Sequence, residues 1–508
     1  MPFLTRRELL ASFSVSALAT AAAPEPRPNI VLILADDLGY GDVSCNNPRS
    51  RISTPFVDQI AAQGMRFTDA HTPSAVCTPT RYGLMTGRYA WRGALKDNVL
   101  DGFDPPLIER NRTTIAALLQ KNGYETACIG KWHLGMQWTD KSGNPYGRPT
   151  PPGKGEFRPG NEVDLTKPTT GGPNNVGFDY YYGIAASLDM SPYCFIENNR
   201  AVLQGGAAVS TKAAEGEPLF RNEREGVGSS DFTVEGVIPR LTQKAVDFIR
   251  KPRPANKPYF LYVPLTSPHM PVVPNRDVEG TSKAGKYGDF VVEMDRTVGR
   301  ILDAVGDKSN TIVIFTSDNG GLFHSWTPEE TDDKAAYKPT PRGQEVAKYG
   351  HQGNADLRGT KADIWEGGHR VPFVVRWPGK IKPGSVSPAL LGLTDMYATL
   401  AQIAGAKVPQ GYAEDSISQV DVLTGKAKQA RTSIIHHSMR GVFALREGNW
   451  KYVPSRGSGG FSSPQQVKAE GGQLYNLATD PRETTNLYAT NRKKAHEMDA
   501  KLQAERRH

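Results

Sequence analysis

Cysteine is scarce in this chain. Cys45, Cys77, Cys128 and Cys194 are the whole set in 508 residues, too few for a disulfide framework at this size. No apolar run approaches the roughly 20 residues that a helix needs to span a bilayer, so stable membrane insertion of that kind is not expected. Lysine and arginine form no dense block and no aromatic-interleaved repeat, which argues against nucleic acid as a partner. Internal repeats are absent as well. What remains is 38% apolar residues with 51 Gly and 38 Pro, the composition of a globular protein with many long loops. The formal net charge of +8 suits either a polyanionic partner or a merely basic surface.

The N-terminus carries Thr5-Arg6-Arg7-Glu8-Leu9-Leu10, a weakly apolar Ala/Ser/Leu stretch, and small residues at Ala19 to Ala23. A charged region, a short apolar region and a small-residue cleavage zone predict a signal peptide over 1–23, excluded from the fold. Its paired arginines resemble a twin-arginine export signal, with an ordinary Sec signal as the alternative. Either route predicts an exported protein, periplasmic or extracellular.

From Asn29 on, β-branched runs alternate with helical periodicity. Asn29–Leu34, Tyr259–Val263, Thr311–Phe315 and Val371–Val375 read as strands buried on both faces. Thr113 to Leu119, stopped by Asn122-Gly123, reads as a helix. So does Tyr287 to Val305, with Val291, Met294, Val298, Ile301, Leu302 and Val305 on one face. This alternation predicts an α/β fold, a large, mostly parallel sheet sandwiched by helices, over 24–425. The Gly/Pro-rich stretch 139–177 reads as a surface insertion that shapes a pocket, and 322–360 as polar loop. Past residue 430, Val442–Arg446 and Trp450–Val453 flank Glu447-Gly448-Asn449, a hairpin signal. A smaller antiparallel sheet plus helix is expected over 426–508.

Two strands end in acids: Asp36-Asp37 after the first, Ser317-Asp318-Asn319-Gly320-Gly321 after the third. Sites in open parallel sheets form beyond the carboxyl ends of the strands. Adjacent carboxylates repel unless a cation neutralises them. Three carboxylates and an amide oxygen favour Ca²⁺ or Mg²⁺ over zinc. A third segment, Cys77-Thr78-Pro79-Thr80-Arg81, places Cys77 just before a helix, with Thr78 as cap and Pro79 at the first helical position. That end attracts anions, and Arg81, one turn in, would return its fork toward position 77.

Cys-x-Pro-x-Arg at this depth, after a strand ending in Asp-Asp, resembles the type I sulfatase family of the alkaline phosphatase-like superfamily, in its arylsulfatase and N-acetylgalactosamine-6-sulfatase branch. Gly130-Lys131-Trp132-His133 resembles the family's Lys-x-His segment. Ser267-Pro268-His269-Met270-Pro271 resembles its histidine turn, and Ser317–Gly320 its second metal segment. Arg358–Lys361, leading to Trp365–Pro372, resembles the segment supplying a sulfate-binding lysine. Thr80 departs from the more common serine, which bears on how efficiently Cys77 is modified.

The resemblance implies that Cys77 is converted to Cα-formylglycine by a formylglycine-generating enzyme during maturation. One hydroxyl of the hydrated aldehyde then attacks sulfur, and the other later expels sulfate. It also implies a Ca²⁺ ion, with Mg²⁺ as the alternative, held by Asp36, Asp37, residue 77, Asp318 and Asn319. Lys131, Lys361 and Arg81 would offset charge on the sulfuryl group and on residue 77. His269 would be the acid for the leaving alcohol and His133 the base for regeneration. Asp189, His351, Asn354 and Arg358 lie in loops resembling those that line glycan pockets. The expected activity is a sulfuric ester hydrolase acting on a sulfated carbohydrate. One alternative is a phospho- or phosphonate-monoester hydrolase of the same superfamily, which Asn319 disfavours. Another is a non-catalytic glycan-binding protein, which Cys77, Lys131 and His269 disfavour.

Overall fold

The computed structural model describes residues 26–147, 157–212, 217–254, 257–307, 310–325, 340–462 and 471–507; the signal segment expected over 1–23 lies outside them. Its frame is a sheet built from β1 (Asn29–Asp36), β2 (Met65–Phe67), β3 (Glu125–Lys131), β4 (Tyr180–Ile184), β5 (Phe195–Glu197), β6 (Arg200–Val202), β7 (Tyr259–Pro268), β8 (Thr311–Ser317), β9 (Phe373–Arg376) and β10 (Ser385–Ser387). Across the sheet the order is β10-β2-β9-β8-β1-β7-β3-β4-β5-β6. The five central strands, β8 to β4, run parallel, and antiparallel strands extend both edges. Five adjacent carboxyl ends therefore open on one rim, where the sequence puts its acids and histidines.

The two-residue period of β1 explains why its run is continuously apolar. Ile30, Leu32 and Leu34 enter one core while Val31, Ile33 and Ala35 enter the other. Helices α1 (Pro55–Gln63), α4 (Val237–Arg250) and α5 (Gly285–Val305) cover the second face. The stripe from Val291 to Val305 on α5 is buried as the sequence predicts. On the first face lie α2 (Cys77–Thr86), α3 (Ile115–Lys121) and α7 (Met396–Ile403). The described part of the 139–177 stretch is anchored through Val163 and Leu165 into that same core. Within the stretch read as polar loop stands a short helix, α6 (Pro341–Ala347), capped by the Thr340 hydroxyl on Gly343 N at 3.0 Å.

The C-terminal sheet is an antiparallel meander, β11 (Ser433–His437), β12 (Phe443–Glu447), β13 (Trp450–Val453) and β14 (Gln473–Asn476), packed with α8 (Arg492–Arg507). Glu447 pairs with Trp450, so Gly448 and Asn449 form the predicted hairpin turn, with Gly448 at φ 54°. This sheet joins the main body through a buried polar core. Lys451 donates to Glu366 at 3.1 Å and to His369 Nε2 at 3.0 Å, and lies 2.8 Å from Glu483. His369 Nδ1 meets His71 Nδ1 at 3.1 Å, His71 Nε2 meets Asp69 at 2.8 Å, and His436 stacks on His369 at 3.7 Å. Arg446 completes the network on Asp69 at 2.9 Å.

Burial holds His71, His369 and His436 below the ordinary histidine range, with Glu366 opposing and Lys451 adding to the effect on the last two. These rings are neutral in the fold, so stability is full above the unfolded pKa near 6.5. It falls as pH drops below that value, because the unfolded chain takes up protons that the fold refuses. The expected slope is about 1.4 kcal/mol per pH unit for each such ring. Urea unfolding at pH 7.5, 6.5 and 5.5 measures it; a flat profile overturns the assignment of neutral rings.

Candidate active site

The rim residues arrive from adjacent strands. Asp36 ends β1 and Asp37 follows it, Asp318 and Asn319 follow β8, Lys131 ends β3, and His269 follows β7. Gly130 can precede Lys131 only as glycine: it sits at φ 147°, and a Cβ there would lie 1.9 Å from the Pro264 carbonyl oxygen of β7. Asp37 (φ 64°), His133 (φ 54°) and Ala362 (φ 78°), the residue after Lys361, also hold left-handed backbone. Such strained positions cluster where geometry is imposed by function.

Three acids and three basic side chains interlock at this rim. Lys131 Nζ donates to Asp36 Oδ2 at 2.5 Å, Lys361 Nζ to Asp37 Oδ2 at 2.8 Å, and Arg81 to Asp318 Oδ2 at 3.0 and 2.8 Å. Asn319 Nδ2 donates to Asp37 Oδ1 at 2.8 Å. Burial raises Asp36, but Lys131, His269, Arg81 and Lys361 outweigh it and hold the carboxyl far below the usual range. Asp318 goes the other way, pushed up to about 7 by burial and the Asp36 charge, against Arg81.

Two buried oxygens here, Asp36 Oδ1 and Asn319 Oδ1, have no partner among the described residues. One oxygen each of Asp36 and Asp37 and a ring nitrogen of His269 lie within 4.8 Å of one another. The oxygens of Asp36, Asp37, Asp318 and Asn319, two of them unpartnered among the described residues, fit a hard divalent cation. Because the three carboxylates are already matched by three basic groups, such an ion would leave the rim net positive, ready for an anion.

Cys77 adjoins this set on the wall of a cavity of about 220 Å³. The helix α2 begins at Cys77 itself, with Val76 at the cap position and no side-chain cap. Thr78 is not the cap as predicted, since its hydroxyl accepts from Leu100 N at 3.2 Å. Nor does Arg81 fork back to residue 77; its guanidinium is taken by Asp318 and, at 2.8 Å, by the Lys131 carbonyl. The Cys77 thiol is pushed up to about 11 by burial, against Lys131 and Lys361.

Both candidate proton carriers reach the cavity with one ring nitrogen committed. His133 Nε2–H donates to the Leu100 carbonyl at 2.8 Å, which leaves Nδ1 without a partner. Burial, Lys131 and Arg81 hold this ring well below the ordinary range, so it is neutral. His269 Nδ1–H donates to the Met270 carbonyl at 2.5 Å, and its Nε2 stands 3.7 Å from Asp37 Oδ2. Lys361 lines the cavity as well, whereas Lys131 and Arg81 stand behind it.

Of the four residues expected against a glycan, the structure brings only Asp189 to the cavity. His351, Asn354 and Arg358 stand off this wall, each buried and hydrogen-bonded within the fold. His351 Nε2–H donates to Asp42 at 2.7 Å, and Asp42 also takes the Tyr287 hydroxyl at 2.6 Å, fixing the loop after β1. Asn354 bridges Gly321 (2.8 and 3.1 Å) and the Gly359 carbonyl (3.1 Å), tying the Asp318 loop to the Lys361 loop. Arg358 stacks 3.8 Å over Trp365 and donates to Tyr475 and the Glu483 carbonyl. Beside Asp189 the wall carries Ser187 and Met190 of the same segment, and it also includes Asn222, Arg224, Arg342 and Phe461, which the sequence reading did not single out as site residues. Only α6 carried a usable signal, Thr340-Pro341 as cap and first helical residue.

The Sulfatase family profile matches residues 28–406, and the profile for the C-terminal part of N-sulphoglucosamine sulphohydrolase matches 360–508. An N-acetylgalactosamine-6-O-sulfatase of Bacteroides thetaiotaomicron is 31% identical over 499 residues, covering 91% of this chain and 89% of that one. Arylsulfatase A of Homo sapiens is 32% identical over 494 residues, covering 93% and 85%. A solved structure from work on the metabolism of multiple glycosaminoglycans by Bacteroides thetaiotaomicron superimposes with a TM-score of 0.78 at 29% identity, covering 95% of this chain and 100% of that one. Fold, rim and relatives agree along nearly the whole described chain: it belongs to the type I sulfatase family of the alkaline phosphatase-like superfamily, and it is a sulfuric ester hydrolase.

Proposed function

We propose that the enzyme removes sulfate from a sulfated carbohydrate, with Cys77 matured to formylglycine and a calcium ion, or magnesium in its place, held by residue 77, Asp36, Asp37, Asp318 and Asn319. The observation that carries the catalytic part is the state of Cys77. A thiol pushed up to about 11 is an inert nucleophile at neutral pH, yet it stands where a nucleophile is needed, beside the oxygen set and Lys361. Conversion to the aldehyde hydrate would put two hydroxyls on one carbon in its place. The bound ion would lower the pKa of one such hydroxyl and polarise a sulfate oxygen.

The chain's own groups account for the rest. Lys361 offsets charge on the sulfate oxygens. His133, neutral and with Nδ1 unpartnered, accepts a proton from a hydroxyl of residue 77. His269, with Nδ1–H held by the Met270 carbonyl, gives a proton from Nε2 to the leaving alcohol only as the imidazolium, a form that burial and Lys361 oppose and Asp37 at 3.7 Å favours. Arg81 and Lys131 hold Asp318 and Asp36 in register with the ion. The carbohydrate part rests on the wall. Ser187 Oγ, Asp189 Oδ1 and Asn222 Oδ1 are buried without protein partners, and such groups are costly unless a ligand with hydroxyls meets them. Phe461, 40% exposed at the cavity, offers a face for a sugar ring.

Maturation would require a formylglycine-generating enzyme, and export rests on the charged and apolar pattern of residues 1–23. Cell fractionation tests the latter, a purely cytoplasmic protein overturning it. The catalytic reading is tested by mass spectrometry of the Cys77 peptide from the native host, paired with sulfate release from sulfated oligosaccharides. The aldehyde mass together with turnover supports the reading. An unmodified thiol in a protein that still releases sulfate ends it.

A further inference from the structure

The cavity has one positive charge that nothing among the described residues answers. Four of its lining side chains carry full charge: Lys361, Asp189, Arg224 and Arg342. Lys361 is matched by Asp37 at 2.8 Å. Arg224 is matched by Asp189, its Nη1 lying 3.4 Å from Oδ2, and its guanidinium rests 4.9 Å over the Phe157 ring. Arg342 differs. Its Nε makes a long bond of 3.4 Å to the Leu219 carbonyl, and its two terminal nitrogens have no partner among the described residues. The carboxylates that act on it, Asp37 and Asp189, are both engaged elsewhere, and burial works against its charge.

A half-buried guanidinium without a counter-ion loses hydration and regains nothing for it. Arginine cannot discharge itself by losing its proton. Its planar fork is the side chain best matched to a carboxylate or sulfate, which it binds through two parallel bonds. Placed on the same wall as the unpartnered Asp189 Oδ1 and Asn222 Oδ1, it completes a surface that offers acceptors for sugar hydroxyls and a donor fork for an acid. A neutral sugar bearing the cleaved sulfate alone would leave that fork idle.

Building on the sulfated-carbohydrate reading, we propose that the substrate carries a second acidic group beside the sulfate ester that is cleaved. Arg342, assisted by Arg224, reads this group, and the chemistry they share with it is that of an oxyanion, either a uronic carboxylate or a second sulfate. The enzyme is thereby selective for polyanionic glycan over singly sulfated neutral sugar.

The test compares three substrates with the same scissile sulfate: a singly sulfated neutral disaccharide, one bearing a uronic carboxylate, and one bearing a second sulfate. Wild-type enzyme is expected to prefer one of the two dianions in kcat/KM. Arg342→Gln should cut the ratio of dianion to monoanion by about tenfold or more, the effect of losing a charged hydrogen-bonded pair. Arg342→Lys, which keeps the charge but not the fork, should hold part of the preference. Which dianion loses its advantage identifies the acid. A ratio unchanged in both variants, or the absence of any dianion preference in wild type, overturns the proposal. The same ratio taken as Kd by calorimetry on the Cys77→Ala protein, which has no nucleophile, reads the effect without turnover. An aryl sulfate separates the two claims. Turnover of it without dianion selectivity sinks the second-acid proposal alone, and dianion-selective binding without turnover of any sulfate ester sinks the catalytic reading alone.

Discussion

Cys77→Ala abolishes sulfate release, lowering kcat by about 10⁴-fold or more, as expected when the atom that forms the covalent link is deleted. Position 77 is nearly sealed, at 2% exposure, and replacing a small thiol by a methyl group changes little of the packing around it. The variant should therefore fold normally and still bind a divalent ion, so the loss lies in chemistry and not in structure. Cys77→Ser is the sharper probe. Serine supplies one hydroxyl, enough to be sulfated once but without the second hydroxyl that would expel sulfate, so a trace of single turnover with no steady state is expected. A quenched-flow burst of the alcohol product, with sulfate retained on residue 77, against a flat continuous assay distinguishes the two. If Cys77→Ala kept even about one part in a hundred of wild-type turnover, the nucleophile would have to be sought elsewhere on the cavity wall.

Much of this site was legible because the chemistry is written in short contiguous segments at strand ends. Asp36-Asp37, Asp318-Asn319, Cys77 to Arg81 and Lys361 each follow or precede an element with a strong pattern. The rule that parallel strands open their sites at the carboxyl ends then places them together. Period-2 burial on both faces made β1, β7 and β8 legible for the same reason. The cavity wall was not legible. Asn222, Arg224, Arg342 and Phe461 come from loops and one short helix far apart in sequence, and no local rule brings them together. His351, Asn354 and Arg358 drew the substrate expectation because polar loop residues near Lys361 look like ligands for a substrate. In the folded chain Asp42, Gly321 and Tyr475 had already claimed them. The left-handed backbone at Ala362 leaves no mark in composition either, whereas Asp37 and His133 are of residue types enriched at such positions.

Chelation should be the second-largest perturbation. Removing the divalent ion is expected to cost kcat about 10³-fold, the scale of several kcal/mol of lost charge stabilisation at the transition state. A readout independent of activity follows from the same rim. On the proposed reading the ion would bind the folded chain, where Asp36 Oδ1 and Asn319 Oδ1 lack partners among the described residues, and not the unfolded one. Calcium at about 100 times its Kd should then raise unfolding stability by about 2.7 kcal/mol. The individual ligands should fail in different ways. In Asp37→Asn, Lys361 loses its 2.8 Å partner, but Asp36 and Asp318 remain, so weaker calcium binding is expected and excess calcium should restore part of the activity. In Asp318→Asn the buried Arg81 loses the carboxylate that takes both its Nε and Nη2. Asp36 still lies 3.6 Å from Nη2, so only part of the about 3–5 kcal/mol cost of a buried charge that loses its partner is expected; this variant should be destabilised even without metal, and added calcium should not rescue it. Thermal unfolding with and without calcium, run beside the activity assay on both variants, separates the outcomes. Equal rescue of the two would mean that Asp318 serves the ion alone, and that Arg81 is held by the Lys131 carbonyl and not by the acid it faces.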